Sequence, residues 1–200
     1  MADLFREKSQ DWDKNERRRR LASSIADCLM AHIPLTADME VMDFGAGTGL
    51  LCSSIAPKVK KIIAVDTSES MLEKLSAKDD LKGRVEIINQ DIIEQPLTMK
   101  FDLIMSAMTL HHVEDTAGML VVLKENLRPG GYIALADLDQ EDGTFHPAEA
   151  QGIFHHGFDR QDLQAKMTHA GFSNISFDTA YVIHGENRDF PVFLVTAKAD

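Results

Sequence analysis

Hydrophobic residues recur along the chain in two spacings. Apolar runs that are nearly continuous are typical of parallel strands covered on both faces, whereas apolar residues three or four positions apart predict amphipathic helices. The runs lie at 40–44, 61–66, 85–89, 101–106 and 133–137. The helical stripes are Leu21, Ile25, Cys28, Leu29 and Met119, Leu120, Leu123, Leu127. Strands and helices in this order predict an α/β fold with a mostly parallel sheet.

The end of the chain predicts one more helix and an antiparallel pair of strands. Asp159 is placed to cap the helix, which closes at Gly171. Strands are expected near 175–183 and 192–197, with a short polar connection between them. This pair would lie at one edge of the sheet.

A turn rich in glycine follows the first apolar run. The run ends in Asp43, and Gly45, Gly47 and Gly49 alternate after it. Glycine has no Cβ, so it adopts positive φ and lets the backbone come within contact distance of a bound molecule. The helix expected from Leu50 would direct its N-terminal amides toward the same place. The stretch therefore predicts a ligand-binding turn in half of a nucleotide-binding βαβ unit.

Two further acids stand at the carboxyl ends of predicted strands. Asp66 closes the second run, where a nucleoside-binding fold places the acid that hydrogen-bonds the ribose hydroxyls. A simpler interpretation is that Asp66 only caps the next helix, although Thr67 or Ser68 would serve equally well. Asp91 follows the third run. Because the carboxyl ends of parallel strands meet at one edge, we expect these acids and Asp43 to line one crevice.

Charge and spacing both disfavour a dinucleotide as the ligand. Three acids suit hydroxyls, an amine and a cation, and they repel a pyrophosphate. The dinucleotide fingerprint G-x-G-x-x-G/A requires a small residue at position 50 or, in its other register, at position 52, and the chain has Leu50 and Cys52 there. Both observations therefore count against a nicotinamide oxidoreductase.

A G-x-G-x-G turn that follows an acid resembles the class I S-adenosylmethionine-dependent methyltransferase family. Two later stretches agree with that family in order and spacing. Residues 108–113 resemble the segment that closes over the methionine end of the cofactor, and residues 127–132, with Pro129, resemble the turn into the fifth strand. Within the family, the chain looks most like the small-molecule enzymes of the ubiquinone and menaquinone biosynthesis type.

This resemblance implies a fold, a cofactor and a reaction. The fold is a Rossmann-like, seven-stranded, mostly parallel sheet with helices on both faces and an antiparallel C-terminal hairpin. The cofactor is S-adenosyl-L-methionine, whose methyl group would pass to an oxygen, nitrogen or sulfur nucleophile of a small molecule. The chain would thus be a methyltransferase with a small-molecule acceptor as its partner.

The resemblance also assigns roles residue by residue. Asp43 and the three glycines match the motif that cradles the methionine moiety, Asp66 matches the ribose-binding acid, and Asp91 matches the adenine contact. The cofactor-binding set implied in this way is Asp43, Gly45, Ala46, Gly47, Gly49, Asp66, Thr67, Met71, Asp91, Ile92 and Ser106.

Residues 138–158 have no clear periodicity, and a loop of this length in a compact domain is typically a lid or a binding loop. We expect this stretch to be the substrate loop. Histidine is the side chain best suited to proton transfer near neutral pH. Five histidines fall in segments that the fold would place at the strand carboxyl ends: His111, His112, His146, His155 and His156.

Three interpretations of these histidines stay open. As general bases, the candidates for a catalytic role are His111, His155 and His156. The second interpretation is metal binding. The loop histidines match no standard ligand spacing, so no metal is expected, although Asp137 and Asp139 could add carboxylates. As structural residues, they would only hydrogen-bond the loop, and the pair at 111 and 112 would only order the cofactor site.

Composition limits the partners and the location. The formal net charge of −11 disfavours nucleic acid, and the four arginines at 17–20 cannot share one helical face. No apolar run approaches the roughly 20 residues that span a bilayer, so no membrane partner is expected. The charged N-terminal residues lack the apolar core of a signal peptide, which predicts a cytoplasmic protein.

The length of 200 residues suits one domain. Since no linker, repeat or low-complexity tract is present, we predict a single domain over 1–200 with an N-terminal helical cap at 1–33. Within the cap, Phe5 and Trp12 either close the edge of the core or cover a ligand cleft.

Two alternatives to a small-molecule methyltransferase stay open. One is a non-catalytic protein that binds S-adenosylmethionine or S-adenosylhomocysteine as a sensor, and the other is a protein methyltransferase. The sequence leaves the identity of the acceptor and the oligomeric state undetermined.

Overall fold

The computed structural model describes residues 3–147 and 149–200. Residues 1, 2 and 148 lie outside the described part. The predicted cap at 1–33 and the predicted loop at 138–158 are therefore each described only in part.

Within the described residues, seven strands form one sheet in the order β3-β2-β1-β4-β5-β7-β6. Strands β1 to β5 are parallel, and β7 is antiparallel to both β5 and β6. The strands are β1 Glu40–Phe44, β2 Lys61–Asp66, β3 Val85–Asn89, β4 Phe101–Ala107, β5 Leu127–Leu138, β6 Phe172–His184 and β7 Asp189–Ala199. The predicted fold class is thereby confirmed.

Helices cover both faces of this sheet. They are α1 Arg6–Ser9, α2 Glu16–His32, α3 Leu50–Ile55, α4 Glu69–Ser76, α5 Thr116–Glu125 and α6 Arg160–His169. Residues of α2, α3 and α4 pack with Val41 and Ile62 in one buried cluster. Residues of α5 and α6 pack with Met42 and Ile63 in a second cluster on the other face. Adjacent strand residues enter opposite clusters, which explains why these strands are apolar at nearly every position.

The strand order reverses between β1 and β4. The chain runs outward from β1 through β2 to β3, then returns to add β4 on the other side of β1. In open parallel sheets, ligands bind in the crevice at the strand carboxyl ends where the order reverses. The glycine turn after β1 and the segment after β4 both lie at this edge.

The start of the fifth strand differs from the prediction. Leu127 was expected on the face of a helix and the strand from residue 133, but α5 ends at Glu125 and Leu127 opens β5. Arg128 explains the difference, because its guanidinium bonds Asp102 at 2.5 Å and Glu40 at 2.7 Å and so holds this stretch beside β4 and β1. The pairing of β4 with β5 shifts register here.

A search of the described residues for a helix long and apolar enough to cross a bilayer finds none. The cytoplasmic location stays a prediction from the sequence.

Candidate active site

The glycine turn connects β1 to α3. Gly45, Gly47 and Gly49 have positive φ, at 69°, 54° and 78°. A Cβ on Gly45 would overlap the side chain of Thr109, and a Cβ on Gly49 would lie 2.8 Å from Leu75 Cγ. A Cβ on Gly47 would meet no described atom within 4 Å. Gly47 therefore faces open space, whereas packing inside the protein requires the other two glycines.

Asp66 joins this turn to the start of α4. Its Oδ2 accepts a hydrogen bond from the amide of Gly47 at 2.7 Å, and its Oδ1 accepts one from the amide of Ser68 at 2.8 Å. Burial raises the pKa of Asp66. The carboxyl group that was predicted to bind ribose thus lies beside the open face of the turn.

Asp43 is buried beneath the turn, with 1% of its surface exposed. The thiol of Cys52 donates a hydrogen bond to Asp43 Oδ2 at 3.0 Å. Burial raises the pKa of Asp43 to about 7, the Cys52 bond opposes the rise, and the charge of Asp66 adds to it. A cation bound beside these two carboxyls would favour their ionised forms, whereas an anion would oppose ionisation.

Two other predicted cofactor residues hold the turn in place. The amide of Ala46 donates to Val65 O at 3.1 Å, which joins the turn to β2. The hydroxyl of Ser106 donates to Phe44 O at 2.6 Å, which joins it to β4. Both contacts fix the backbone and leave the face at Gly47 open.

The residues predicted to lie near adenine follow β2 and β3. Thr67 is exposed, and Met71 is buried in the first turn of α4. Ile92 is buried, and Asp91 Oδ1 accepts a hydrogen bond from the amide of Ile93 at 2.9 Å. Since β1, β2 and β3 are adjacent, the structure places the three predicted acids at neighbouring strand ends.

The N-terminal segment, residues 3–14, is tied to both sides of the turn. Asp3 accepts hydrogen bonds from the Ser68 hydroxyl at 2.8 Å and the Ser70 amide at 3.0 Å, at the start of α4. Asp13 accepts one from the hydroxyl of Thr48 at 2.5 Å, within the turn itself. Both aspartates thus anchor the segment at the edge that carries the predicted site.

The aromatic side chains of the segment lie at the same edge. The ring of Phe5 is 6.0 Å from the ring of Trp12 and 5.5 Å from that of His112, in edge-to-face contacts. The guanidinium of Arg18 lies 3.7 Å from the centre of the Trp12 ring. Phe5 therefore adjoins the histidine segment after β4.

His111 forms a buried pair with Asp137. His111 lies in a short 3-10 turn after β4, and Asp137 is near the end of β5. Asp137 accepts from His111 Nδ1 at 2.8 Å, from the His111 amide at 3.1 Å and from the Leu138 amide at 2.8 Å. Because the carboxylate holds the proton on Nδ1, the Nε2 atom of the neutral ring carries the lone pair.

A family model described as a methyltransferase domain matches residues 14–177. The chain belongs to this methyltransferase family. The family predicted from the glycine turn and its acids is thereby confirmed.

Named relatives agree with this assignment. An uncharacterised methyltransferase of Schizosaccharomyces pombe is 30% identical over 161 residues, which cover 68% of this chain and 54% of that protein. The mitochondrial ubiquinone biosynthesis O-methyltransferase of the same yeast is 29% identical over 138 residues, 65% of this chain and 50% of that protein. This chain thus spans about half the length of these two relatives.

A solved structure agrees in fold. The SAM-dependent methyltransferase of Aquifex aeolicus superposes with a TM-score of 0.72 at 20% identity, over 100% of both chains. At this identity, the likeness supports the methyltransferase fold alone.

The two loop histidines predicted as catalytic have different surroundings from His111. His155 Nε2 lies 2.9 Å from Val113 O and 3.1 Å from the Thr116 hydroxyl, so this atom is occupied by contacts within the protein. The His156 side chain is 59% exposed, and its Nδ1 lies 3.5 Å from Glu141 Oε1. Of the three candidates, His111 is the one that a buried carboxylate orients.

The loop that follows β5 is fastened at its base. Arg160 donates two hydrogen bonds to the carboxylate of Asp139, at 2.7 and 2.8 Å. The amide of Gln140 donates to Phe158 O at 3.0 Å, and that of Phe158 to Leu138 O at 2.9 Å. Residues 139 and 158 are thereby held side by side, and the loop projects from this closed base toward the histidine segment.

The described residues were also compared with the requirements of a metal site. No group of three or more His, Cys, Asp or Glu side chains in the described ranges could hold a metal ion. Asp137 and Asp139, which the sequence offered as further carboxylate ligands, are bonded to His111 and Arg160.

The sequence did not identify Asp137 as the partner of His111. It also did not place Thr109, Asp13 or Glu141 near the candidate site. Asp137 closes an apolar run, which is the same signal that identified Asp43, so it could have been found. Thr109 and Asp13 carry no such signal, because their roles depend on contacts between distant segments.

Proposed function

We propose that this methyltransferase binds S-adenosyl-L-methionine on the glycine turn and transfers its methyl group to a small molecule. One observation carries the proposal: a Cβ on Gly47 would meet no described atom within 4 Å, while the Asp66 carboxylate is bonded to the Gly47 amide. A nucleoside that carries a cation fits an open backbone face flanked by carboxyls.

The predicted roles of the site residues fit this cofactor. Asp66 would accept from the ribose hydroxyls through lone pairs left beside its two amide bonds, since each carboxylate oxygen accepts more than one hydrogen bond. Asp91 and Ile92 would lie at the adenine, and Thr67 and Met71 would flank it. Asp43, which is buried below the turn, would stabilise the cationic methionine end.

When bound, S-adenosylmethionine supplies an electrophilic methyl group on a sulfonium. The chain must then hold an acceptor in line with that methyl group and take up the acceptor's proton. Holding two groups in line can contribute about 7 to 11 kcal/mol, whereas a positioned base adds roughly 10²- to 10⁴-fold. Positioning is therefore the larger contribution.

We propose His111 as the base. Its Nδ1 is held by Asp137, which leaves the lone pair of Nε2 to take a proton from an oxygen, nitrogen or sulfur acceptor. His155 and His156 stay candidates from the sequence, but His155 Nε2 is bonded within the protein, and His156 is 59% exposed and makes no hydrogen bond to Glu141, the carboxylate beside it. The S. pombe relative named for ubiquinone biosynthesis is an O-methyltransferase, which supports a hydroxyl among the acceptors to be tried first.

Calorimetric titration with S-adenosylmethionine tests the cofactor assignment. Asp66→Ala removes the carboxylate, and we expect the affinity to fall at least tenfold, because a charged hydrogen bond contributes about 1.5 to 3 kcal/mol. Asp80→Ala, which changes an exposed aspartate after α4, is the matched control and should bind as the parent chain does. Equal affinity in Asp66→Ala and the parent would contradict the assignment.

Transfer of an isotopically labelled methyl group to a panel of phenols, amines and thiols tests the reaction. The enzyme should label at least one of them, and His111→Gln should lower the rate at least a hundredfold with cofactor affinity retained. Peptides are tried beside this panel. Cofactor binding with no labelled product from any small molecule or peptide would favour a non-catalytic protein that binds S-adenosylmethionine as a sensor. Labelling of peptides alone would favour a protein methyltransferase.

A further inference from the structure

Glu141 is a buried carboxylate that the proposed reaction does not yet use. Its side chain is 2% exposed. Its Oε2 accepts hydrogen bonds from the amides of Thr144 at 2.8 Å and Phe145 at 3.1 Å. Its Oε1 is buried and has no hydrogen-bond partner among the described residues. His156 Nδ1 lies 3.5 Å from Oε1, an ion-pair distance when the ring is protonated, but the His156 side chain is 59% exposed and the two atoms make no hydrogen bond.

His146 carries a second buried polar atom of this kind. Its Nε2 is likewise without a hydrogen-bond partner among the residues that the structure describes. Burial lowers the pKa of His146, and the neighbouring His111 lowers it further, although the charge of Glu141 opposes the change. The ring is therefore neutral near pH 7, and Nε2 can either donate or accept.

His146 lies next to the proposed base, and Glu141 is joined to the same part of the loop through the amide of Phe145, the residue before His146. The ring of His146 is 5.1 Å from that of His111 and 6.5 Å from that of His112. The Nδ1 of His112 is bonded to Gly152 O at 2.6 Å, so this histidine is held by the same loop. Unpartnered buried polar atoms are rare in folded proteins and costly, and two of them in one loop that also contacts His111 require an explanation.

The surroundings of these atoms are aromatic. The ring of Phe145 lies 4.8 Å from that of His146 and 5.2 Å from that of Phe190, both edge to face. The amide of Phe154 donates to His111 O at 3.0 Å, yet its side chain is 51% exposed. A molecule that satisfied the polar atoms would thus meet apolar surface around them.

We propose that Glu141 Oε1 and His146 Nε2 form the acceptor subsite, which binds the hydrogen-bond donor of an apolar acceptor, a hydroxyl or an amine, next to His111. This inference rests on the proposed function and adds a substrate class to it. A carboxylate acceptor is excluded from the class, because it has no proton to donate at neutral pH and would meet the negative charge of Glu141.

The subsite would select strongly for the donor. A site built to hydrogen-bond a hydroxyl or amine rejects the analogue that lacks it, because its own buried groups are then left unpaired. The alternative is that Glu141 only fastens the loop through Oε2, in which case its second oxygen would have no ligand to recognise.

Four probes of one size distinguish these cases: phenol, benzylammonium, benzoate and anisole. Each is titrated into the full chain saturated with S-adenosylhomocysteine at pH 7.5, and binding is followed by the nuclear magnetic resonance signals of the histidine rings. We expect phenol or benzylammonium to shift the signals of His146 and to saturate. Benzoate and anisole should bind at least tenfold more weakly. Whichever donor binds better identifies the acceptor as a hydroxyl or an amine.

Glu141→Gln is the matched variant, since its amide oxygen can keep both bonds to Thr144 and Phe145. We expect this variant to bind the donor probe at least tenfold more weakly, with S-adenosylhomocysteine affinity within twofold of the parent. Glu186→Gln, in the exposed connection between β6 and β7, should bind both as the parent does.

Two outcomes would overturn the inference alone: equal binding of donor and donor-free probes by the cofactor-loaded parent, or undiminished donor binding by Glu141→Gln. The first comparison needs no variant, so it holds even if Glu141→Gln misfolds. Failure of S-adenosylhomocysteine to bind the parent would overturn the proposed function, and the acceptor subsite with it.

Discussion

At the scale of single residues, the three glycines after β1 are needed for different reasons. Gly45 allows Thr109 to approach, Gly49 allows Leu75 to approach, and Gly47 alone opens to the ligand side. A spacing motif in the sequence cannot separate these reasons, because all three residues also share a positive φ.

Gly47→Ala should separate backbone strain from ligand contact. Gly83 is a matched control, because it also has a positive φ, 75°, and a Cβ there also meets nothing within 4 Å. Both substitutions should lower stability by about 1 to 2 kcal/mol, since alanine is disfavoured in the left-handed region. Only Gly47→Ala should weaken S-adenosylmethionine binding, at least tenfold by calorimetry. A similar loss of affinity in both variants would place the ligand elsewhere.

Asp43 should make stability depend on pH. Burial raises its pKa from 3.8 to about 7, so between these values the unfolded chain loses the proton while the folded chain keeps it. The free energy of unfolding should therefore fall as pH rises from about 4 to about 7, and level off above. Asp43→Asn removes this dependence, and its stability relative to the parent should increase over that range by roughly 4 kcal/mol.

Urea denaturation of both proteins at pH 4, 5, 6, 7 and 8 measures this difference. Because Asp66 is present in both proteins, the comparison reports the contribution of Asp43 together with its interaction with Asp66. A difference that stays constant with pH would show that Asp43 ionises normally in the folded chain.

At the scale of elements, the N-terminal segment and the loop after β5 both reach the carboxyl edge of the sheet. The segment is held by Asp3 and Asp13, and the loop by the Arg160–Asp139 pair. Neither element belongs to the parallel core, yet the loop contacts His111 through the Phe154 amide and the N-terminal segment contacts His112 through the Phe5 ring. Two elements outside the core thus meet at the histidine segment that follows β4.

We expect the N-terminal segment to slow cofactor release. Asp13 bonds Thr48 in the turn and also pairs with Lys78 at 2.8 Å. Asp13→Ala removes both contacts, which are half-buried and together contribute about 1 kcal/mol, so dissociation should become roughly fivefold faster in stopped-flow experiments. Asp11→Ala removes only an exposed pair with Lys14 and is the control. Identical rates in the two variants would contradict the role of the segment.

At the scale of the whole molecule, a single sheet connects nearly all the described elements. Its strands run from Glu40 to Ala199, and α2 is joined to β6 by the His32–Asp178 contact at 3.0 Å. Buried clusters lie on both faces and include residues from the first and last thirds of the chain.

The chain should therefore unfold as one domain. Scanning calorimetry should give one transition whose calorimetric and van't Hoff enthalpies agree, near 140 kcal/mol at about 60 °C for this length. A separate early transition that the removal of residues 1–33 abolishes would show that the N-terminal cap is an independent unit.

The sequence by itself determined the sheet and the acids that lie at its carboxyl edge. The strands β1, β2 and β3 lie where the apolar runs predict. β1 and β2 are buried on both faces and are therefore apolar at nearly every position, whereas the edge strand β3 is only partly buried. Asp43 and Asp66 were found for a related reason, since a charged residue that ends such a run lies at the carboxyl edge of the sheet. These are local signals that a single stretch of chain carries.

Only the tertiary structure decided the acceptor end. The pairing of His111 with Asp137, the unpartnered oxygen of Glu141 and the contact of Asp13 with Thr48 each join segments that lie apart in sequence. The loop after β5 has no periodicity, so nothing in its pattern distinguishes His155, whose Nε2 is bonded, from His146, whose Nε2 has no partner among the described residues. Packing between segments that lie far apart in sequence decides which polar atoms remain without a hydrogen-bond partner. This packing cannot be predicted from the local sequence pattern.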